Sequence, residues 1–76
     1  MTKQEIADLQ LAGLLVKELE DGRVLVEGTS PAGLDYLLEE DFGIWWVYEA
    51  TANGDYTSVD AFGLFDDAYE CAKKLS

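Results

Sequence analysis

The side chains in this chain that could do chemistry are almost all carboxylates. Sixteen Asp and Glu residues stand against five Lys and Arg, with no histidine and a single cysteine, Cys71. Without histidine, the chain cannot form a Ser-His-Asp or Cys-His nucleophilic site or the usual zinc ligand sets. It also has no Gly-rich phosphate-binding motif. We therefore expect a protein that is not an enzyme, with no catalytic residue, cofactor or metal. The alternative is an enzyme that uses carboxylates alone for acid–base catalysis.

Two groups of acidic residues have spacings that could bind a cation or a partner. One is Glu39, Glu40 and Asp41, and the other is Asp55 and Asp60 with Ser58 between them. Neither has the spacing of a calcium-binding loop, so solvation or contact with a partner is expected more than metal binding. Cys71 adjoins an apolar helical stripe, which favours a small buried residue over a reactive thiol.

The negative charge is concentrated in the middle of the chain. Residues 18 to 70 hold fourteen of the carboxylates and one cation, Arg23, and the whole chain has a formal net charge of −11. Such a domain repels nucleic acid and anionic membranes and attracts basic surfaces. The length indicates one domain, residues 1–76. The apolar run 11–16 is too short to span a bilayer and no signal peptide is evident, so we expect a cytoplasmic protein.

The first element is predicted to be a long helix. Thr2 and Glu5 have the spacing of a capping box. Apolar residues then recur every three or four positions as far as Leu19, and Asp21-Gly22 is expected to end the helix. Leu11, Leu14 and Leu15 widen the apolar stripe. We therefore expect the helix to be covered on two sides or to form a homodimer.

The next two elements are predicted to be a strand and a short helix. Residues 23–27 are rich in β-branched and aliphatic residues, as in a strand. Ser30-Pro31 then resembles a helix start, with Ser as the cap and Pro at the first position. Leu34, Leu37 and Leu38 would form the apolar face of this second helix.

Residues 43–63 are predicted to form a β-hairpin. The segments 44–51 and 56–62 are rich in aromatic and β-branched residues, and Asn53-Gly54 between them favours a two-residue type I′ turn. That turn would place Trp46 opposite Ala61 and Tyr48 opposite Val59 on an apolar face, which we expect to be the core. The other face is mixed. It carries four further pairs: Trp45 with Phe62, Val47 with Asp60, Glu49 with Ser58, and Thr51 with Tyr56. Trp45 and Phe62 would form a partner patch if that face is bare, and core if a helix covers it.

A last helix is predicted after Asp66, with a buried stripe formed by Phe65, Ala68, Ala72 and Leu75. The predicted fold class is α+β, in the order α-β-α-β-β-α. The hairpin 43–63 and the strand 23–27 would form a small antiparallel sheet, packed with about three helices.

The short length, the acidic stretch Glu18 to Glu70, the helix-plus-hairpin layout and the missing catalytic residues resemble small acidic inhibitors encoded by phages, of the anti-CRISPR or DNA-mimic type. This resemblance implies a non-enzymatic protein that occupies the basic nucleic-acid groove of a partner protein, without binding nucleic acid or membrane itself. The residues expected to contact the partner are Glu39, Glu40, Asp41, Glu49, Asp55, Asp60, Trp45 and Phe62. The alternative is a small adaptor or homodimeric module that uses an apolar patch, with charge serving only solubility.

Overall fold

The computed structural model describes residues 1–76, which form two helices and five strands. In chain order the elements are α1 (Lys3–Leu11), β1 (Leu15–Glu18), β2 (Val24–Thr29), β3 (Asp35–Asp41), β4 (Ile44–Ala50), β5 (Tyr56–Phe62) and α2 (Phe65–Lys73). All five strands join one antiparallel sheet in the order β1-β2-β3-β4-β5. The α+β class is correct, but the predicted order α-β-α-β-β-α is wrong. The observed order is α-β-β-β-β-β-α, with two helices instead of three.

Three of the four hairpins share one loop design. The loops 20–22, 31–33 and 52–54 each have three residues and end in a glycine, with φ between 84° and 90°. In each, the N–H of the residue before the loop donates to the carbonyl of the residue after it, at 2.7 or 2.8 Å. This is a type I turn followed by a left-handed glycine, a common hairpin connection. The β3–β4 loop instead has two residues, Phe42 and Gly43, both with positive φ, as in a type I′ turn.

The predicted first helix is too long. The capping box is present: the Glu5 N–H donates to Thr2 Oγ1 (3.1 Å), and the Thr2 N–H donates to Glu5 Oε1 (2.9 Å). The helix nevertheless ends at Leu11, and residues 15–18 pair with β2. The left-handed Gly13 turns the chain between them. The apolar stripe that suggested dimerisation is therefore divided between a short helix and a strand.

The predicted second helix is also wrong, because residues 35–41 are β3. Pro31 occupies the second position of the β2–β3 turn, where its fixed φ fits as well as at a helix start. Ser30 caps this turn. Its Oγ accepts the Leu34 N–H (3.2 Å) and donates to the Leu75 carbonyl (3.0 Å), which ties the end of the chain to the sheet.

The hairpin of β4 and β5 is confirmed, but its core face is the opposite of the one predicted. Trp45 and Val47 are buried, whereas Trp46 is 40% exposed. The pairs of Trp45 with Phe62 and Trp46 with Ala61 form as predicted. Tyr48 pairs with Ser58 instead of Val59, because the loop has three residues and not two. A bulge beside Val47 and Tyr48 absorbs the one-residue difference.

The core lies between α2 and one face of the sheet. It contains the nine apolar residues Leu14, Val24, Val26, Tyr36, Leu38, Trp45, Val47, Ala68 and Ala72. The Trp45 ring meets the Phe65 ring edge-on, with 4.9 Å between centroids. Ala68 and Ala72 are fully buried, which confirms the predicted α2 stripe. The predicted Asp66 cap is wrong, since the N-cap is Leu64 and Asp66 lies in the first turn. Leu9 of α1 packs against the same core, so both helices lie on this side of the sheet and leave the second face bare.

Candidate functional site: the open face of the sheet

The second face of the sheet is uncovered and combines apolar and acidic side chains in an ordered arrangement. Side chains alternate between the two faces along a strand. The neighbours of the buried Val24, Val26, Leu38, Trp45 and Val47 therefore point away from α2. We call the surface that they form the open face.

Strand β4 contributes a continuous apolar stripe to the open face. The stripe consists of Ile44, Trp46, Tyr48 and Ala50. Ile44 and Trp46 are each 40% exposed, and Tyr48 and Ala50 are half-buried. Six residue steps at about 3.4 Å make the stripe roughly 20 Å long. Leu37 of β3 pairs with Tyr48 and extends the apolar surface sideways.

Strand β3 contributes a parallel row of acids. Asp35, Glu39 and Asp41 alternate with the inward-facing Tyr36 and Leu38, so all three lie on the open face. Glu27 of β2 pairs with Leu37 and adds a fourth carboxylate. Asp35, Glu39, Asp41 and Glu27 are the acidic row. Because Glu39 pairs with Trp46 and Asp41 with Ile44, the acidic row borders the apolar stripe directly.

The charge of the acidic row is only partly neutralised. Arg23 binds Glu39 (3.3 Å) but is shared with Asp21 (2.8 Å). Lys17 is the other cation on this face and forms no ion pair. Burial raises the pKa of the Tyr48 phenol, and the carboxylates of Glu39 and Asp41 raise it further. Glu39 and Asp41 therefore lie close enough to Tyr48 for their charges to act on it.

The structure separates the partner-contacting residues that the sequence predicted. Glu39 and Asp41 lie on the open face. Glu40 and Glu49 point to the α2 side of the sheet, at its margin, and Asp60 lies opposite Val47 on that same side. Asp55 follows the β4–β5 loop. Trp45 is buried, and Phe62 is half-buried against the core, so of the two interpretations of these aromatics the core one is correct.

Sequence reasoning missed the main aromatic residues of the site. The hairpin pattern predicts that Trp46 and Tyr48 lie in the core, and no motif singles out Glu27 or Asp35. Residues 35–41 carry no strand-period alternation, because three apolar residues are followed by three acids, so the local pattern would not have found them.

Other candidate groups are not assembled into a site. Cys71 is half-buried against the core, and burial together with the charge of Asp60 raises the pKa of its thiol. A raised pKa keeps the thiol protonated and unreactive at neutral pH. No three His, Cys, Asp or Glu side chains lie close enough to hold a metal ion together.

One further residue at the end of the open face is unusual. Phe42 at the tip of the β3–β4 hairpin is 98% exposed and has a φ of +52°. A left-handed conformation is unfavourable for a bulky side chain, and here no internal contact compensates for it.

Comparison with protein families, curated proteins and solved structures found no match. Neither helix is long and apolar enough to cross a membrane.

Proposed function

We propose that this protein is a non-enzymatic binding protein that docks its open face on a basic surface of another protein. The observation that carries the proposal is the acidic row beside the apolar stripe, on the one face of the sheet that no helix covers. Apolar and aromatic side chains supply the buried contact of a protein interface, and complementary charge at its border supplies orientation and speed of association.

The chemistry of the surface favours a basic partner. The chain carries a formal charge of −11, so a second copy or a nucleic acid would meet strong repulsion. A Lys- or Arg-rich surface would be drawn to the acidic row over about one Debye length, roughly 10 Å at 0.1 M salt. Such surfaces on proteins are often nucleic-acid grooves. The proposed consequence is that the bound protein keeps DNA or RNA out, with carboxylates in place of phosphates.

A capture experiment with matched charge variants tests this proposal. The purified protein is immobilised, exposed to host lysate at low salt, and washed with nucleic acid. Glu27→Lys with Asp41→Lys reverses two charges on the open face. Glu20→Lys with Asp67→Lys reverses two exposed charges elsewhere and leaves the same net charge. None of these four side chains forms a hydrogen bond or ion pair.

We expect the open-face variant to lose the captured protein and the control variant to keep it, and we expect nucleic acid to displace it from the unaltered chain. Equal retention by both variants would contradict docking through the open face. A captured protein that nucleic acid does not displace would contradict the blocking of a groove.

The second candidate function is an adaptor that binds through the apolar stripe, with charge serving solubility alone. The exposure of Ile44 and Trp46 favours it. Salt separates the two candidates, since screening at 1 M leaves a Debye length of only about 3 Å. Affinity that falls steeply with salt supports electrostatic docking, and affinity that is nearly constant supports the adaptor.

A further inference from the structure

We infer that the segment of the partner that contacts the open face is a basic amphipathic helix lying along β4. This inference rests on the proposed function and adds the kind of structure that is bound. It follows from the shape of the apolar stripe, its length and the position of the acidic row beside it.

The apolar stripe has the form of a helix-binding site. α2 already covers the opposite face of the sheet, and its small residues Ala68 and Ala72 bring it close to the strands. A helix on the open face would complete the three-layer arrangement in which both faces of a sheet are covered. Along the roughly 20 Å of the stripe, a helix rising 1.5 Å per residue would place about 13 residues, nearly four turns.

The charge distribution determines the composition of that helix. One flank would lie over the acidic row of β3 and β2, where Glu27 and Asp41 have no cationic partner in the chain. Lys or Arg on that flank would supply the missing charge. The adjoining face would need Leu, Ile, Met or Phe at positions i, i+3, i+4 and i+7 to cover Trp46 and Tyr48.

Other occupants fit less well. A second copy would bring another chain with a formal charge of −11 against the acidic row, which would repel it. An extended segment added to the edge of the sheet at β5 would meet the bulge beside Val47 and Tyr48, which interrupts regular pairing. Such a segment would also leave the apolar stripe uncovered.

Two synthetic peptides of about 14 residues test the inference. Both contain only Leu and Lys in equal proportions. One has its leucines at helical spacing, and the other alternates Leu and Lys, which gives an amphipathic strand of the same charge. Dissociation constants are measured by calorimetry at 0.1 M salt with the unaltered protein, Trp46→Ala, the Glu27→Lys, Asp41→Lys variant and the Glu20→Lys, Asp67→Lys control.

We expect the helical peptide to bind at least about tenfold more tightly than the alternating peptide. Trp46→Ala and the open-face charge variant should each weaken its binding by about tenfold, whereas the control variant should change it less than about twofold. The charge variant keeps the test valid if Trp46→Ala fails to fold.

Three results would overturn the inference. Equal binding of the two peptides would show that the helical spacing of the leucines is not recognised, which contradicts the helix but leaves acidic docking intact. Equal loss in the two charge variants would place binding away from the open face. No binding of the helical peptide would reject the helical segment, while the capture experiment decides the proposed function separately.

Discussion

Replacing Phe42 by Asn should stabilise the free protein, although it removes a large apolar side chain. Phe42 has a φ of +52° and is followed by Gly43 at +82° in the type I′ turn of β3 and β4. A left-handed conformation costs an ordinary L-residue about 1–2 kcal/mol, and Asn-Gly is the pair that this turn favours.

The loss of burial is too small to offset that gain. Phe42 is 98% exposed, so only about 4 Å² of a ring of roughly 200 Å² is covered, which is worth about 0.1 kcal/mol. We expect the free energy of unfolding to rise by about 1 kcal/mol. In a domain of this length, that corresponds to a melting temperature about 4–8 °C higher.

Urea unfolding followed by circular dichroism measures the change. Phe42→Ala is the matched control, because it removes the ring but keeps the β-carbon in the unfavourable conformation. Its stability should lie within about 0.5 kcal/mol of the unaltered chain. If Phe42→Asn destabilises the protein, or if both variants gain equally, then the turn conformation is not the source of the effect.

Three further predictions concern the core and its border. Gly28→Ala should destabilise the protein strongly or prevent folding, because the added methyl group would lie 2.5 Å from the Tyr36 phenol oxygen. Gly63→Ala is the control: it has open space around it and should have little effect on stability in the same urea titration. Ser30→Ala should lower the free energy of unfolding by about 1–3 kcal/mol, measured by urea unfolding, because a buried hydroxyl with two hydrogen bonds is lost. A change below about 0.3 kcal/mol would contradict the hydrogen-bonded link between the turn and the C-terminus. Cys71 should react with iodoacetamide more slowly than free cysteine at neutral pH, because its raised pKa keeps the thiol protonated there. The reaction should become faster as the pH rises toward that pKa. A rate equal to that of free cysteine at about pH 7 would contradict the burial of the thiol.

The ends of the chain were more predictable than its middle. The Thr2–Glu5 capping box and the buried stripe of α2 follow from local spacing alone, and both are present in the structure. The leucine-rich segments 11–19 and 34–38 fit the spacing of a helix as well as that of a strand. They become strands because β1 and β3 pair with β2 from its two sides. Short apolar runs are ambiguous in this way.

A wider pattern would have resolved the ambiguity. Glycines at 22, 33, 43 and 54 recur every ten or eleven residues, and each occupies the last position of a hairpin loop. Turn residues at such intervals are typical of an all-antiparallel sheet. The pattern was obscured because Phe42-Gly43 is not a common turn pair, whereas Asn53-Gly54 is common but belongs to a three-residue loop.

The choice between the two faces of β4 could not be made from the strand alone. Both faces carry a tryptophan and further apolar residues, so alternation does not distinguish them. The position of α2 decides between them, because Phe65 on α2 meets Trp45 edge-on, whereas no helix covers Trp46, which is 40% exposed. The candidate site is the face left over by this packing, which explains why only Glu39 and Asp41 of the predicted contacts belong to it.

The two tryptophan indoles provide the most direct test of the open face as the binding surface. In a ¹H–¹⁵N spectrum of the labelled protein, the helical Leu/Lys peptide is added in steps and the two indole N–H resonances are followed. We predict that the Trp46 resonance shifts progressively with peptide while the Trp45 resonance stays nearly constant. Equal movement of both resonances, or a shift of Trp45 alone, would contradict binding at the open face.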